Sequence, residues 1–134
     1  MKTTLPVDSA TRKDIPLLSG CFRYIPAAIA GMARWSKIGN DKHNPGEPLH
    51  HARGKSSDHG DCILRHLMDL QDYLAHVERT FHPLTAEEKR QILDEADALF
   101  WRAGILSQEI HEKFDDAPLA PGAKIPASSL ASPV

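Results

Sequence analysis

The sequence predicts an all-α fold, a helical bundle completed by oligomerisation, and three observations lead to it. Apolar residues within 63–77 and 92–110 recur at alternating intervals of four and three, which places each set on one face of a helix. No stretch alternates between apolar and polar residues as a half-buried strand does. Prolines, glycines and capping residues separate the periodic stretches.

The chain has 134 residues, the length of one domain. Residues 1–24 are expected to be irregular, because Pro6 and Pro16 interrupt any helix there. A single helical domain is predicted over residues 25–114. Residues 115–134 are rich in proline, alanine and serine and are predicted to form a flexible tail.

The first two helices have recognisable ends. Pro26 suits the first position of a helix that is predicted to stop at about residue 38, before Gly39. The second helix is predicted to begin after Ser56 and Ser57, which are suitable N-caps, and to reach about Arg79.

The third helix is predicted to run from Thr85 to about Phe114, with Glu88 completing a capping box. The second and third helices would each exceed about 30 Å at 1.5 Å per residue. A hairpin of two such helices beside one short helix leaves apolar surface uncovered. We therefore expect a homodimer or homotetramer.

The charge balance excludes some partners. Sixteen lysines and arginines stand against 18 aspartates and glutamates, which gives a formal net charge of −2. Such a chain has no general attraction for polymeric nucleic acid or an anionic membrane. Cys21 and Cys62 are expected to be reduced thiols, and no segment has the composition of a signal peptide or a membrane span. A cytoplasmic protein is expected.

Two pairs of carboxylates repeat the same spacing. Asp58 and Asp61 lie three residues apart at the start of the second helix, and Asp94 and Asp97 flank Glu95 in the third. If the helices pack side by side, these side chains would converge on a hard cation such as Mg²⁺ or Mn²⁺. The alternative is ordinary: acidic residues also gather at helix N-termini and on solvated faces.

Histidines border the apolar stripe of the second helix. His59, His66 and Tyr73 follow at intervals of seven, and Glu95 has a similar position on the third helix. A transition-metal site of histidine and glutamate is one interpretation. We favour the other, in which His66 is partly buried and hydrogen-bonded to a carboxylate such as Glu95.

The stretch "HARGKSS" precedes the second helix. Its backbone N–H groups, hydroxyls, Arg53 and Lys55, together with Lys42 upstream, suit a phosphate at a helix N-terminus. It is not a P-loop, because Leu49 stands where that motif requires glycine. A solvated basic loop is the alternative.

Two segments carry a family resemblance: "SKIGNDKHNPGEPLHHARGKSSDHGDCILRHL" and, less specifically, "DEADALFWRAGIL". Over about residues 22–111 the chain resembles the phage-associated dATP/dGTP diphosphohydrolase N-terminal domain family, which includes the MazZ enzymes. That family belongs with the MazG-like, all-α nucleoside triphosphate pyrophosphohydrolases. The resemblance implies a phage protein that acts in the cytoplasm of the host.

The resemblance implies a metal site and a reaction. MazG-like enzymes bind Mg²⁺ through an E-x-x-E pair and an E-x-x-D pair, which correspond here to Asp58 with Asp61 and Asp94 with Asp97. Glu95 would be an added ligand, and Glu95 or Asp58 would take the proton of the attacking water. Aspartate replaces the usual glutamate at three of the four positions, so some ligation would pass through water. The implied reaction converts a purine deoxynucleoside triphosphate, dGTP above all and then dATP, to the monophosphate and pyrophosphate.

The implied nucleotide-binding residues are Trp35, Lys42, His43, Asn44, Arg53, Lys55 and Arg65. The basic side chains would stabilise charge on the phosphates. The indole would stack on the purine, or belong to the core, and His43 or Asn44 would read the edge of the base.

Two other functions stay open at this stage. One is a metal-dependent phosphohydrolase with a site built from His50, His59, Asp61, His66 and Glu95. The other is a helical nucleotide-binding or oligomerisation module without turnover. Phosphate or triphosphate as product would indicate the first, and a nucleotide that is bound but not consumed would indicate the second.

Overall fold

The computed structural model describes residues 1–124 and is mostly helical, as the sequence predicts. Its elements are α1 (Ser9–Lys13), a 3₁₀ turn (Phe22–Tyr24), α2 (Pro26–His43), β1 (His51–Ala52), α3 (His59–Arg79), α4 (Ala86–Phe114) and β2 (Ala123–Lys124). Residues 1–24, predicted to be irregular, thus contain one short helix and one 3₁₀ turn. None of the helices in 1–124 combines the length and apolar character of a bilayer-spanning segment.

Helix α2 starts at Pro26 as predicted, but the predicted stop at Gly39 is wrong. The helix continues to His43, and the N–H of Asn44 still bonds to the carbonyl of Asn40. Asn40 is only 6% exposed, and its Nδ2 donates to the carbonyl of Glu47 at 3.0 Å. This tertiary contact offsets the cost of about 1 kcal/mol for glycine inside a helix.

The N-termini of α3 and α4 differ in how well the sequence predicts them. Ser56 and Ser57 do not cap α3: the N-cap is Asp58, without a side-chain bond to the helix. The hydroxyl of Ser56 donates to the Asp58 carboxylate instead, at 2.8 Å. The capping box of α4 is confirmed, with reciprocal bonds of 3.0 Å between Thr85 and Glu88.

Helices α3 and α4 form an antiparallel hairpin, with α2 packed on α4. Among residues 1–124, the buried apolar side chains are Cys62, Ala98 and Ile105. Large apolar side chains of α3 remain exposed, namely Leu64, Leu67, Met68 and Leu74. This exposed apolar surface is consistent with a homodimer or homotetramer, and the oligomer stays a prediction.

Strands β1 and β2 pair in parallel over two residues, with His51 opposite Ala123 and Ala52 opposite Lys124. The N–H of His51 also donates to the carbonyl of Gly122 at 3.0 Å. The segment predicted to be a flexible tail therefore begins with residues that return to β1. The rest of that tail, 125–134, lies outside the described residues.

An ion pair attaches the loop after β1 to α4. The guanidinium of Arg53 donates two hydrogen bonds of 2.8 Å to Glu112, and Gln108 donates a third to the same carboxylate. Both charged side chains are enclosed, at 11% and 13% exposure. Chiefly through the bond from Arg53, the pKa of Glu112 falls from 4.5 to about 2.

Gly31 allows the close contact between α2 and α4, because a Cβ there would collide with the carboxylate of Asp97. We expect Gly31→Ala to lower the free energy of unfolding by about 1–3 kcal/mol, measured by urea denaturation at pH 7. Gly39→Ala is the matched control in the same helix, since its Cβ would meet no atom within 4 Å. It should be neutral or slightly stabilising. Equal effects of the two changes would contradict the proposed contact.

Glu112→Gln should remove a pH-dependent part of stability. Because the folded-state pKa of Glu112 lies near 2 and the ordinary value is 4.5, the carboxylate stabilises the fold above pH 4.5 and stops doing so as pH falls toward 2. The contribution is at most about 3 kcal/mol. Urea denaturation at pH 7 and pH 3 should show a large loss at pH 7 and a smaller one at pH 3. The exposed Glu78, changed to glutamine, serves as control and should show little loss at either pH.

Candidate functional site

A cavity of about 520 Å³ lies between α2, the loop 44–58, the start of α3 and the middle of α4. Helix α2 contributes residues from one face, spaced at intervals of one turn, and α4 contributes positions 98, 101, 102 and 105. The aromatic, polar and charged wall residues are Trp35, Ser36, Asn40, His43, Asn44, His50, His51, Lys55, Ser56, His66, Trp101 and Arg102.

The walls of this cavity are cationic. Lys55 and Arg102 line it, and no aspartate or glutamate does. Within residues 1–124 neither cation forms an ion pair, so their charges are available to a ligand. Four histidines add hydrogen-bonding groups. A chain of net charge −2 therefore contains a cavity whose charged wall residues are all basic.

Trp35 and Trp101, the two tryptophans of the chain, both line the cavity. The ring of His51 meets Trp101 edge-on, with centroids 6.0 Å apart and planes at 86°. Burial, followed by the charge of Arg53, lowers the pKa of His51, so this ring is held neutral at pH 7. The indoles give the cavity flat apolar surfaces beside its cations.

His66 connects the cavity to a carboxylate. Its Nδ1 lies 2.8 Å from Oε2 of Glu95, and the two side chains are 27% and 20% exposed. The preferred interpretation of the sequence, a histidine hydrogen-bonded to Glu95, is thus confirmed as a contact. Because a carboxylate only accepts, Nδ1 carries the hydrogen and Nε2 is left with a lone pair in the neutral ring.

The predicted nucleotide-binding residues divide into two groups. Trp35, His43, Asn44 and Lys55 line the cavity. The other three lie outside its walls: Lys42 is exposed near the end of α2, Arg53 is bound to Glu112, and Arg65 donates to Asp58 at 3.0 Å.

The first predicted carboxylate pair stays near the surface. Asp58 accepts from Ser56 and from Arg65, and the bond from Ser56 is the main reason that its pKa is lowered. Asp61 is exposed in the first turn of α3. Asp58 is not a wall residue of the cavity, but it accepts a hydrogen bond from Ser56, which is one.

The second predicted pair lies between α2 and α4. Asp94 accepts from Arg34 and Arg90, and Asp97 lies 3.8 Å from each guanidinium. Burial raises the pKa of Asp97. Within 1–124 no three histidine, cysteine or acidic side chains are arranged to hold a metal ion. The two carboxylate pairs are not brought together, and the metal ligands remain predictions.

Trp101 and Arg102 are wall residues that the sequence did not indicate. With Ala98 and Ile105 they occupy one face of α4, at steps of three, one and three residues. The stretch "ALFWRAGI" has apolar residues on several sides of the helix, so its sequence does not distinguish Trp101 from a core residue. An arginine inside an apolar helical run was the available signal, because such a residue needs a partner or a ligand.

A second cavity of about 380 Å³ adjoins the first, and the two share five wall residues, namely Ser36, His50, His51, Trp101 and Ile105. Its other walls are mostly apolar and include Met32, Leu49 and Ala123. The shared indole therefore has a cationic cavity on one side and an apolar one on the other.

Compared with protein families, with curated proteins and with solved structures, the chain matches none of them. The resemblance to the phage diphosphohydrolase family remains a hypothesis. The interpretation of the site consequently depends on the geometry of the cavity and on the chemistry of its walls.

Proposed function

We propose that the protein is a purine deoxynucleoside triphosphate pyrophosphohydrolase, with dGTP preferred and dATP second. The cavity carries the proposal, because two indoles and two cations line it without any carboxylate. Indoles stack on nucleobases, and arginine and lysine bind phosphates. Its volume falls in the range of about 300–1,000 Å³ that small-molecule sites occupy. The choice of a purine deoxynucleotide rests on the family resemblance.

His66 is the proposed general base, and Glu95 acts through it by fixing the ring. In the proposed reaction Nε2 of His66 takes a proton from water while the water oxygen bonds to the α-phosphorus. The bond from that phosphorus to the bridging oxygen breaks, and pyrophosphate leaves with the oxygen. Lys55 and Arg102 stabilise the charge on the phosphates.

The requirement for Mg²⁺ or Mn²⁺ belongs to the proposal as well. Residues 1–124 provide no group of three protein ligands. Mg²⁺ is often held by one or two carboxylates together with substrate phosphates, so its use does not require such a group. Asp58 would be the carboxylate to hold it here, because it is bonded to the wall residue Ser56. The roles proposed for His66, Lys55 and Arg102 do not involve the metal.

The direct test is to incubate the purified protein with each of the four dNTPs and four rNTPs, with Mg²⁺, Mn²⁺ or a chelator, and to separate the products by ion-exchange chromatography. We expect equal amounts of monophosphate and pyrophosphate from dGTP, and less from dATP. Release of phosphate or triphosphate would replace the proposal by the phosphohydrolase alternative. Persistence of every nucleotide with both metals would refute turnover.

A second prediction concerns the general base. We expect His66→Gln to lower kcat by about 10²–10⁴-fold and to leave KM within a few-fold, because the change removes proton transfer and little binding. The matched control is His76→Gln, since His76 also joins α3 to α4, through Glu88 at 3.1 Å, but lies outside the cavity walls. A kcat for His66→Gln equal to that of the control would exclude His66 as the base.

A further inference from the structure

Arg102 is held in the cavity by two neutral acceptors. Its Nη1 donates to Oγ of Ser56 at 3.0 Å and to Nδ1 of His59 at 3.3 Å. The structure around Arg53 is the opposite case, because the carboxylate of Glu112 accepts two of its hydrogen bonds and neutralises its charge. Of these two arginines, only Arg102 keeps its charge for a ligand.

The hydrogens in this network can be assigned from the contacts alone. Nε2 of His59 lies 2.8 Å from Glu109, and a carboxylate only accepts, so Nε2 carries a hydrogen. A guanidinium only donates, so Nδ1 of His59 must accept from Arg102. His59 is therefore a neutral ring with one defined tautomer. It is 7% exposed, and Glu109 fixes its orientation.

Ser56 continues the network to the start of α3. Its oxygen accepts from Arg102, and its hydroxyl hydrogen goes to Asp58 at 2.8 Å. Each hydrogen in the series has one acceptor, and the guanidinium is fixed from two sides, by α3 and by the loop. Such fixation lowers the entropy that an arginine loses when it binds an anion.

Arg102 lies further along α4 than Glu95, the residue that holds the proposed base His66. Glu95, the partner of His66, lies seven residues before Arg102, which is about 10 Å at 1.5 Å per residue. If a nucleotide places its α-phosphate at His66 and extends along α4 toward the C-terminal end of that helix, its terminal phosphates approach Arg102. The two residues therefore suit different phosphates of one triphosphate.

We propose that Arg102 binds the terminal phosphates of the nucleotide and that Glu109 and His59 are positioning residues that fix its guanidinium. This inference rests on the proposed function for the identity of the anion. It predicts that the site distinguishes a triphosphate from a monophosphate, and that pyrophosphate alone binds at Arg102.

Intrinsic fluorescence measures this binding without turnover, because both tryptophans of the chain line the cavity. The full chain is titrated with dGTP, dGMP and pyrophosphate, with and without Mg²⁺. We expect Arg102→Ala to weaken dGTP and pyrophosphate binding by about 10- to 100-fold and dGMP binding by less than about threefold. Arg79→Ala, which changes an exposed arginine outside the cavity walls, is the matched control and should bind like the wild type.

The positioning role has its own test. Glu109→Ala should weaken dGTP binding while leaving dGMP binding unchanged, and Glu109→Gln should recover most of the loss, because an amide oxygen still accepts from His59. In the double variant, Glu109→Ala should add little to the loss caused by Arg102→Ala, because both changes disrupt the same interaction. Urea denaturation of each variant separates an effect on binding from one on folding.

The outcomes distinguish this inference from the proposed hydrolysis. Binding of dGTP that depends on Arg102, without any product, would support the inference and refute hydrolysis. Hydrolysis by a protein whose dGTP affinity survives Arg102→Ala would do the reverse. Equal losses for dGTP and dGMP would overturn the terminal-phosphate assignment, as would the absence of any fluorescence change with all three compounds.

Discussion

The cavity depends on the ionic and hydrogen-bonded contacts between one face of α4 and the segment 53–66. Glu95, Glu109 and Glu112 on that face each accept a hydrogen bond from a basic side chain of the segment. Few apolar side chains are buried among residues 1–124, so these contacts fix where the loop lies. None of these three carboxylates lines the cavity. The cavity wall consequently remains cationic although the chain carries a small net negative charge.

Features encoded within a few residues of sequence were predictable. Thr85 and Glu88 satisfy each other's backbone groups locally, and α4 starts there as expected. The prediction that α2 stops at Gly39 was wrong because a tertiary contact extends the helix. The hydrogen bond from Asn40 to Glu47 forms only when the following loop folds back. The predicted N-cap of α3 was wrong for a related reason. Ser56 accepts a hydrogen bond from Arg102, which lies far away in the sequence.

The candidate site was predictable only in part. Lys55 lies in the stretch "HARGKSS", whose composition already suggested a phosphate, and it lines the cavity. Arg53, two residues from Lys55, has the same local appearance, and what separates them is Glu112, 59 positions away. Arg102 was missed for the converse reason: neither of its neutral acceptors, in the segment 56–59, is visible from the residues around it.

The parallel pairing of β1 with β2 has a consequence for ligand binding. His51 belongs both to the cavity wall and to the strand on which Ala123 pairs. A ligand that stabilises β1 in its present position also stabilises the docked β2, and the coupling free energy is the same in both directions. Occupancy of the cavity would therefore be coupled to the pairing of Ala123 and Lys124 with β1, and a change that separates the two strands would alter the affinity of the site.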